Sequence, residues 1–216
     1  MRWRLLDGAA EEDVQRVLSL ARRRSFARSE VVFHRDDPGD SLHLIVHGRF
    51  AVRIISPVGE TVTIAVRGPG ESFGEMALIR EGARRAATVV ALEKAETLAL
   101  YKDDFNELRR QQRSVDELLL SFLVDEVRML NERLMEAFYV SVERRVLRRL
   151  AELSADGDSG GPVEIPLTQE ELAELAGANR ATVNRVLREE EKRGLVRLER
   201  GRTVVLDREE IVRRGR

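Results

Sequence analysis

The chain has 216 residues, 43% of them apolar, and its 37 basic and 38 acidic side chains nearly cancel to a formal net charge of −1. A balance this close excludes a global field aimed at nucleic acid or membrane, so a partner of either kind must be met by a local patch. The absence of cysteine excludes disulfides, thiolate zinc sites and cysteine-ligated iron–sulfur clusters.

No stretch approaches the roughly 18 apolar residues of a membrane span, and the N-terminus lacks the apolar core of a signal peptide. A soluble, cytoplasmic protein without a membrane partner is expected, long enough for two domains with separate cores. In chain order, Val14, Val17, Leu18 and Ala21 recur at helical spacing, which predicts an amphipathic helix within residues 9 to 24. The period then changes from 3.6 to 2. Val31 to Phe33, Leu42 to Val46, Phe50 to Ile54 and Thr61 to Val66 read as strands, separated by the turn signals Asp36 to Asp40, His47-Gly48, Pro57 to Gly59 and Gly68 to Gly70. With Ala87 to Leu92 and Thr97 to Tyr101 they predict a β-barrel or jelly roll.

Inserted among these strands, residues 73 to 90 read FGEMALIREGARRAATVV, a short apolar helix between Gly74-Glu75 and Arg84-Arg85. A helix N-terminus with a permissive glycine and a nearby guanidinium is suited to a phosphate. Glu75 would repel that anion, so its useful role is to accept from sugar hydroxyls. Anion and sugar together point to a nucleotide.

From about residue 102 to 153 the pattern is helical. Leu123, Val127, Leu130, Leu134 and Ala137 form a heptad seam, flanked by a second series of Leu120, Val124, Asn131 and Phe138. One side of this helix is expected on the barrel and the other on a partner helix. Ser141 is placed to cap a helix over Val142 to Leu153, and Ser154 to Pro162 breaks the chain.

Thr168 to Glu171 is a capping box opening a helix that ends at Ala176. Gly177 turns the chain and Asn179 caps a second helix from Arg180 to about Arg193, which is helix-turn-helix spacing. Val183, Val186 and Leu187 share its inner face, whereas Arg180, Ala181, Asn184, Arg185 and Arg188 share the other and suit base edges and phosphates in a major groove. Leu195 to Leu206 reads as a hairpin wing with Arg200 and Arg202 at its tip. From residue 141 onward 16 basic side chains face 15 acidic ones, so the patch is local rather than domain-wide.

The 73 to 90 segment resembles the phosphate-binding cassette of cyclic-nucleotide-binding domains, including those of cyclic-AMP-dependent kinase regulatory subunits. From about residue 9 to 210 the chain resembles the cyclic-AMP receptor protein and FNR family of bacterial transcription regulators. The resemblance implies an α+β architecture: a cyclic-nucleotide-binding β-roll at 1–107, a dimerisation helix and hinge at 108–139, and a winged helix-turn-helix at 140–216. It implies cyclic AMP as effector, held by Gly74, Glu75, Met76, Arg85 and Ala86, with Glu75 on the ribose and Arg85 on the cyclic phosphate.

Ala86 stands where the best-known bacterial receptor has serine, and Met129 and Leu130 stand where that receptor holds adenine with a Thr-Ser pair. For DNA it implies guanine reading by Arg180 and Arg185, a phosphate contact at Thr182, and a shifted operator because Ala181 replaces a base-reading glutamate. Asn184, Arg188 and Arg202 complete the DNA set. Partners implied are a second copy of the chain, double-stranded DNA with two-fold-related half-sites about one helical turn apart, and RNA polymerase through the 154 to 162 loop.

Two readings stand beside it: a regulator of this family that binds DNA without a nucleotide, and a nucleotide sensor whose winged domain binds protein. Haem or metal ligation would rest on His34, His43 and His47, which lie in or beside early strands where histidines are more often surface or core residues. No nucleophile–base pairing or metal set suggests an enzyme.

Overall fold

The computed structural model describes residues 2–79, 82–111, 113–155 and 161–216. The chain forms two compact units, Met1–Thr61 with Ala65–Met129, and Val62–Ile64 with Leu130–Arg216.

The first unit opens with a 3-10 turn, Arg4–Leu6, and helix α1 (Glu11–Leu20), whose first turn carries Glu11, Glu12 and Asp13 where the helix dipole favours anions. Strands follow as β1 (Arg22–Phe26), β2 (Val31–Phe33), β3 (Ser41–His47), β4 (Phe50–Ile55), β5 (Thr61–Arg67), β6 (Ser72–Phe73), β7 (Thr88–Ala91) and β8 (Ala95–Tyr101). They make two four-stranded sheets, ordered β1-β8-β3-β6 and β2-β7-β4-β5, the jelly roll expected from the strand spacing. The helix expected as far as residue 24 stops at Leu20, and the next segment is β1. Its sequence, RRRSF, is exposed at every position except Phe26, so it carries no alternating pattern. Pairing with β8, from Arg22 opposite Ala99 to Phe26 opposite Ala95, makes it a strand.

β3 is buried from Ser41 to Ile45 because it lies between two cores. Leu42 and Leu44 join Trp3, Leu5, Val17, Leu100 and Phe105 on one face, while Ile45 joins Phe26, Phe50 and Phe73 between the sheets.

Helix α2 (Lys102–Gln111) follows β8, and α3 (Arg113–Tyr139) is the long helix the heptad pattern predicts. Val115, Leu119 and Phe122 of α3 are buried in the roll's core, with Leu123 packed beside them. Leu120, Val124, Val127, Leu130, Leu134 and Phe138 are exposed, between 44% and 73%, along the other side. The seam is thus open apart from Leu123, and the roll-facing stripe begins at Val115, earlier than the heptad reading placed it.

In the second unit α4 (Val142–Leu153) is capped by Ser141, whose hydroxyl accepts from the Arg144 amide at 3.5 Å. Then come β9 (Val163–Ile165), α5 (Gln169–Ala176), α6 (Arg180–Lys192), β10 (Val196–Glu199), β11 (Arg202–Val205) and α7 (Arg208–Gly215). The Thr168–Glu171 capping box is present: the Glu171 amide donates to the Thr168 hydroxyl at 3.2 Å and the Thr168 amide to the Glu171 carboxylate at 2.8 Å. Gly177 turns at φ 59°, where L residues with a Cβ are strained, and Asn179 accepts from the Thr182 amide at 2.8 Å.

The wing has three strands, ordered β10-β11-β9, rather than the two of the expected hairpin. The sequence pattern reveals neither β9 nor α7, because three residues of strand and a charged eight-residue helix contain too few periods. Residues 156 to 160 of the 154 to 162 loop, through which the resemblance implies an RNA polymerase contact, lie outside the described residues.

Candidate functional site

The cassette begins at β6. Phe73 is buried, and Gly74 follows with φ 92° as the cap of a 3-10 turn, Glu75–Ala77. The apolar helix expected here is therefore a single turn as far as it is described, Arg80 and Glu81 lying outside the described residues, and its dipole field is correspondingly small. A Cβ on Gly74 would stand 2.8 Å from Arg85 Nη1 and 2.8 Å from the Ser41 carbonyl oxygen, so glycine is required both by conformation and by the guanidinium beside it.

The cassette's second arm pairs with the Asp36–Asp40 turn. The Arg85 amide donates to Asp37 O at 2.9 Å, the Asp36 amide to Arg85 O at 2.9 Å, and the Gly39 amide to Ala83 O at 3.1 Å. Arg85 is thereby drawn inward to 2% exposure. Its Nη1 donates to Ser41 O at 2.6 Å and Gly74 O at 3.2 Å, and its Nη2 to Asp40 Oδ1 at 2.8 Å and Ser41 Oγ at 2.9 Å. The guanidinium carbon lies 4.0 Å from the centroid of the Phe33 ring.

Burial pulls the Arg85 pKa below its ordinary value, and Asp40 opposes that shift. Its Nε makes no hydrogen bond. The sequence marked Asp40 only as a turn residue; the structure makes it the guanidinium's carboxylate partner.

Glu75 is not hydrogen-bonded to Arg85. Its Oε2 is buried without any hydrogen-bond partner, and burial raises its pKa, with Arg67 and Arg85 opposing and Glu126 reinforcing the shift. Met76, included in the nucleotide set, is 61% exposed, and Ala86 is also exposed. On α3, Met129 is half-buried and Leu130 is 59% exposed.

Behind Arg85 sits His43, stacked on Phe73 with centroids 4.9 Å apart and an interplanar angle of 9°. Its ring nitrogens contact Thr97 Oγ1 at 3.0 Å and Ser41 Oγ at 3.2 Å. Burial, aided by the Arg85 and Arg24 charges, lowers its pKa to about 3, so it is a neutral core histidine. No metal-binding cluster of histidine and carboxylate side chains occurs among the described residues.

In the winged unit, Arg180, Ala181, Arg185 and Arg188 are exposed on α6, opposite the buried Val183, Val186 and Leu187. The four arginines of the DNA set each face a carboxylate. Arg180 lies 3.7 Å from Glu170, Arg185 is 3.0 Å from Glu143 and 3.5 Å from Glu189, and Arg188 is 3.3 Å from Glu191. Arg202 at the wing donates to Glu199 at 2.6 Å and Glu164 at 2.8 Å. Asn184 differs from the others: its Nδ2 donates to Gln169 Oε1 at 2.6 Å, joining α6 to α5. Thr182 is half-buried. Leu167 to Glu170, Arg180, Glu199, Gly201 and Arg202 line one polar cleft between the capping box, the start of α6 and the wing.

Two family models match in this order: a cyclic nucleotide-binding domain over residues 23–112 and a Crp-like helix-turn-helix domain over residues 144–214. A "Cyclic AMP receptor protein" of Thermus thermophilus is 36% identical over 194 residues, 90% of this chain and 88% of the relative. The chain belongs to the Crp/Fnr family of transcription regulators.

A "CRP-like cAMP-activated global transcriptional regulator" of Mycobacterium tuberculosis is 30% identical over 195 residues, 88% of this chain and 87% of that protein. The crystal structure of Thermus thermophilus catabolite activator protein matches with a TM-score of 0.56 and 32% identity, over 98% of both chains. The Crp/Fnr relatives are regulators rather than enzymes, and the family binds DNA and acts as dimers. Among the described residues no helix is long and apolar enough to cross a membrane.

Proposed function

We propose that this chain is a homodimeric, cytoplasmic transcription regulator whose DNA binding is gated by cyclic AMP. The observation that carries the reading is the pair of incompletely satisfied, buried clamps on one cassette, Glu75 Oε2 and Arg85 Nε. Native proteins rarely leave such atoms unpaired, because the lost water is not replaced. A cyclic nucleotide brings a phosphate anion, a ribose hydroxyl and a purine in one molecule. Arg85 supplies the cation, already oriented by the carbonyls of Ser41 and Gly74. Glu75 supplies an acceptor for a hydroxyl, and Gly74, by lacking a Cβ, leaves room for the guanidinium beside it.

The names of the Thermus and Mycobacterium relatives favour cyclic AMP among the cyclic nucleotides. The exposed apolar stripe of α3 is the surface that a second copy would cover. Arg180, Ala181, Thr182, Asn184, Arg185, Arg188 and Arg202 form the proposed DNA face, and its arginines must leave their carboxylates to reach phosphates or guanines. Two-fold-related half-sites and RNA polymerase are the further partners of this reading. Gating requires that the ligand bind the DNA-competent arrangement better than the other, since only differential affinity shifts an equilibrium.

The test combines calorimetry with DNA binding. Cyclic AMP should bind the folded protein and tighten operator binding, and Arg85→Ala should weaken nucleotide affinity about 10-fold or more, the equivalent of a charge-assisted hydrogen bond of about 1.5–3 kcal/mol. No heat at millimolar cyclic AMP sinks the nucleotide reading, and operator binding that is unchanged by the ligand favours a nucleotide-independent regulator.

A further inference from the structure

The base end of the pocket needs a polar group that Met129 and Leu130 do not supply, because neither side chain offers a strong donor or acceptor. One turn earlier, α3 carries Glu126, four residues beyond the buried Phe122 and seven beyond the buried Leu119, hence on the roll-facing stripe. Its carboxylate is 15% exposed and accepts from Arg67 Nη2 on Oε2. Arg67, 14% exposed, also donates through Nη1 to Glu71 Oε1 at 2.9 Å, and the Gly68 amide donates to Glu71 Oε2 at 2.8 Å. The guanidinium therefore ties α3 to the turn that leads into β6 and the cassette.

Glu126 Oε1 remains buried without a hydrogen bond, and Arg4 Nη1 stands 3.9 Å from it. Six buried side-chain polar atoms lack hydrogen-bond partners among the described residues, and four of them are Ser72 Oγ, Glu75 Oε2, Arg85 Nε and Glu126 Oε1. They lie on the cassette, on the strand entering it and on the helix tied to it. Arg67 holds Glu126 together with Glu71, four residues before Glu75, so the ion pair stands at the strand that enters the cassette, and its charges act on the Glu75 carboxylate.

A carboxylate can only accept, and with Oε2 held by Arg67 a single oxygen is left. One oxygen suits one exocyclic amino group. A guanine edge presents N1–H and N2–H side by side and calls for both oxygens of a carboxylate. Resting on the cyclic-nucleotide reading, we infer that Glu126, positioned by Arg67, selects a 6-aminopurine by accepting a hydrogen bond from its amino group. The specificity residue lies one helical turn before the pair that the family alignment points to, and its partner comes from β5.

The experiment is a calorimetric titration of the full chain, wild type and Glu126→Met, with three nucleotides: cyclic AMP, cyclic GMP and the 3′,5′-cyclic monophosphate of purine riboside, which lacks only the 6-amino group. Wild type should prefer cyclic AMP to the des-amino analogue by about 10-fold, because a site built for a hydrogen bond is left unpaired by a ligand lacking the donor. Glu126→Met should bind both within about twofold of each other. Thermal melts establish that the variant folds; should it not, Glu126→Gln keeps the shape with a neutral acceptor and should reduce the preference to about threefold.

Equal wild-type affinity for the two adenine-like ligands, or undiminished preference in whichever variant folds, overturns the assignment to Glu126 while leaving the cyclic-nucleotide reading intact. If wild type binds none of the three, the cyclic-nucleotide reading itself fails, which is a different result.

Discussion

Replacing Arg145 by methionine removes four hydrogen bonds while keeping an unbranched apolar stem. Arg145 Nε donates to Ala176 O at 2.8 Å, Nη1 to Val140 O at 2.9 Å and Ala137 O at 3.2 Å, and Nη2 to Gly177 O at 2.9 Å. Ala137 and Val140 mark the C-terminal end of α3, and Ala176 and Gly177 the end of α5, where helix carbonyls lack intrahelical partners and cations are favoured. One half-buried guanidinium thus joins the end of α3 to the turn of the helix-turn-helix.

The two partly buried bonds, to Ala176 and Val140, are each worth about 1–1.5 kcal/mol, and the two exposed ones about 0.5 kcal/mol or less because water replaces them. The expected loss is about 3 kcal/mol. If the chain unfolds as one cooperative unit, at about 2–4 °C per kcal/mol for its length, Tm should drop roughly 6–12 °C in a circular-dichroism melt. Arg145→Lys keeps the charge but not the planar fork and should fall between the two. A Tm within about 2 °C of wild type for Arg145→Met would refute the reasoning, since the four carbonyls would then be equally content with water.

Two further outcomes follow from the roll. His43 titrates near 6.5 when unfolded and near 3 when folded, so between those values the unfolded chain binds more protons and acid erodes stability by up to about 1.4 kcal/mol per pH unit. Glu75, whose folded pKa is raised, contributes with the opposite sign, gaining stability as pH falls. Urea midpoints at pH 7 and pH 5 should therefore converge in His43→Gln relative to wild type; an unchanged difference between the two pH values would assign the acid sensitivity to other groups. Gly74→Ala forces a Cβ into a residue at φ 92° and to within 2.8 Å of Arg85 Nη1. It should destabilise the protein by about 1–3 kcal/mol in chemical denaturation and weaken cyclic-AMP binding as Arg85 shifts, whereas wild-type values in both measurements would deny that the glycine makes room for the guanidinium.

Much of the architecture was legible in the chain because its signals are local. Gly177 with Asn179, the Thr168–Glu171 capping box and the heptad on α3 each state their geometry within a few residues, and the structure forms each of them. β1 was not legible, since RRRSF has no apolar alternation and becomes a strand only by lying against β8. The short β9 and the charged α7 failed for the same reason of insufficient pattern.

In the candidate site, Glu75 and Arg85 stand out in the sequence because they flank one short glycine-led segment. Asp40, Ser41 and Phe33, which surround the guanidinium, come from strands and turns 44 to 52 residues away in sequence and carry no motif of their own. Arg67 and Glu126 are separated by 59 residues, and each reads singly as one more surface charge.

What the amino-acid sequence determined by itself is the order of parts and the residue types each contains: a roll with a glycine- and arginine-bearing cassette, a helix with an apolar seam, and a winged domain with an arginine face. Those are encoded by period, caps and turn residues, which act over one or two turns of chain. The tertiary structure decided which charges are free and which are spoken for. Long-range packing sets burial, and burial determines that Arg85 is held by Asp40, that Glu75 and Glu126 each keep an unpaired oxygen, and that Arg185 rests on Glu143. A hydrogen bond depends on a separation of about 3 Å between atoms, and no local pattern reports that distance for residues brought together by the fold.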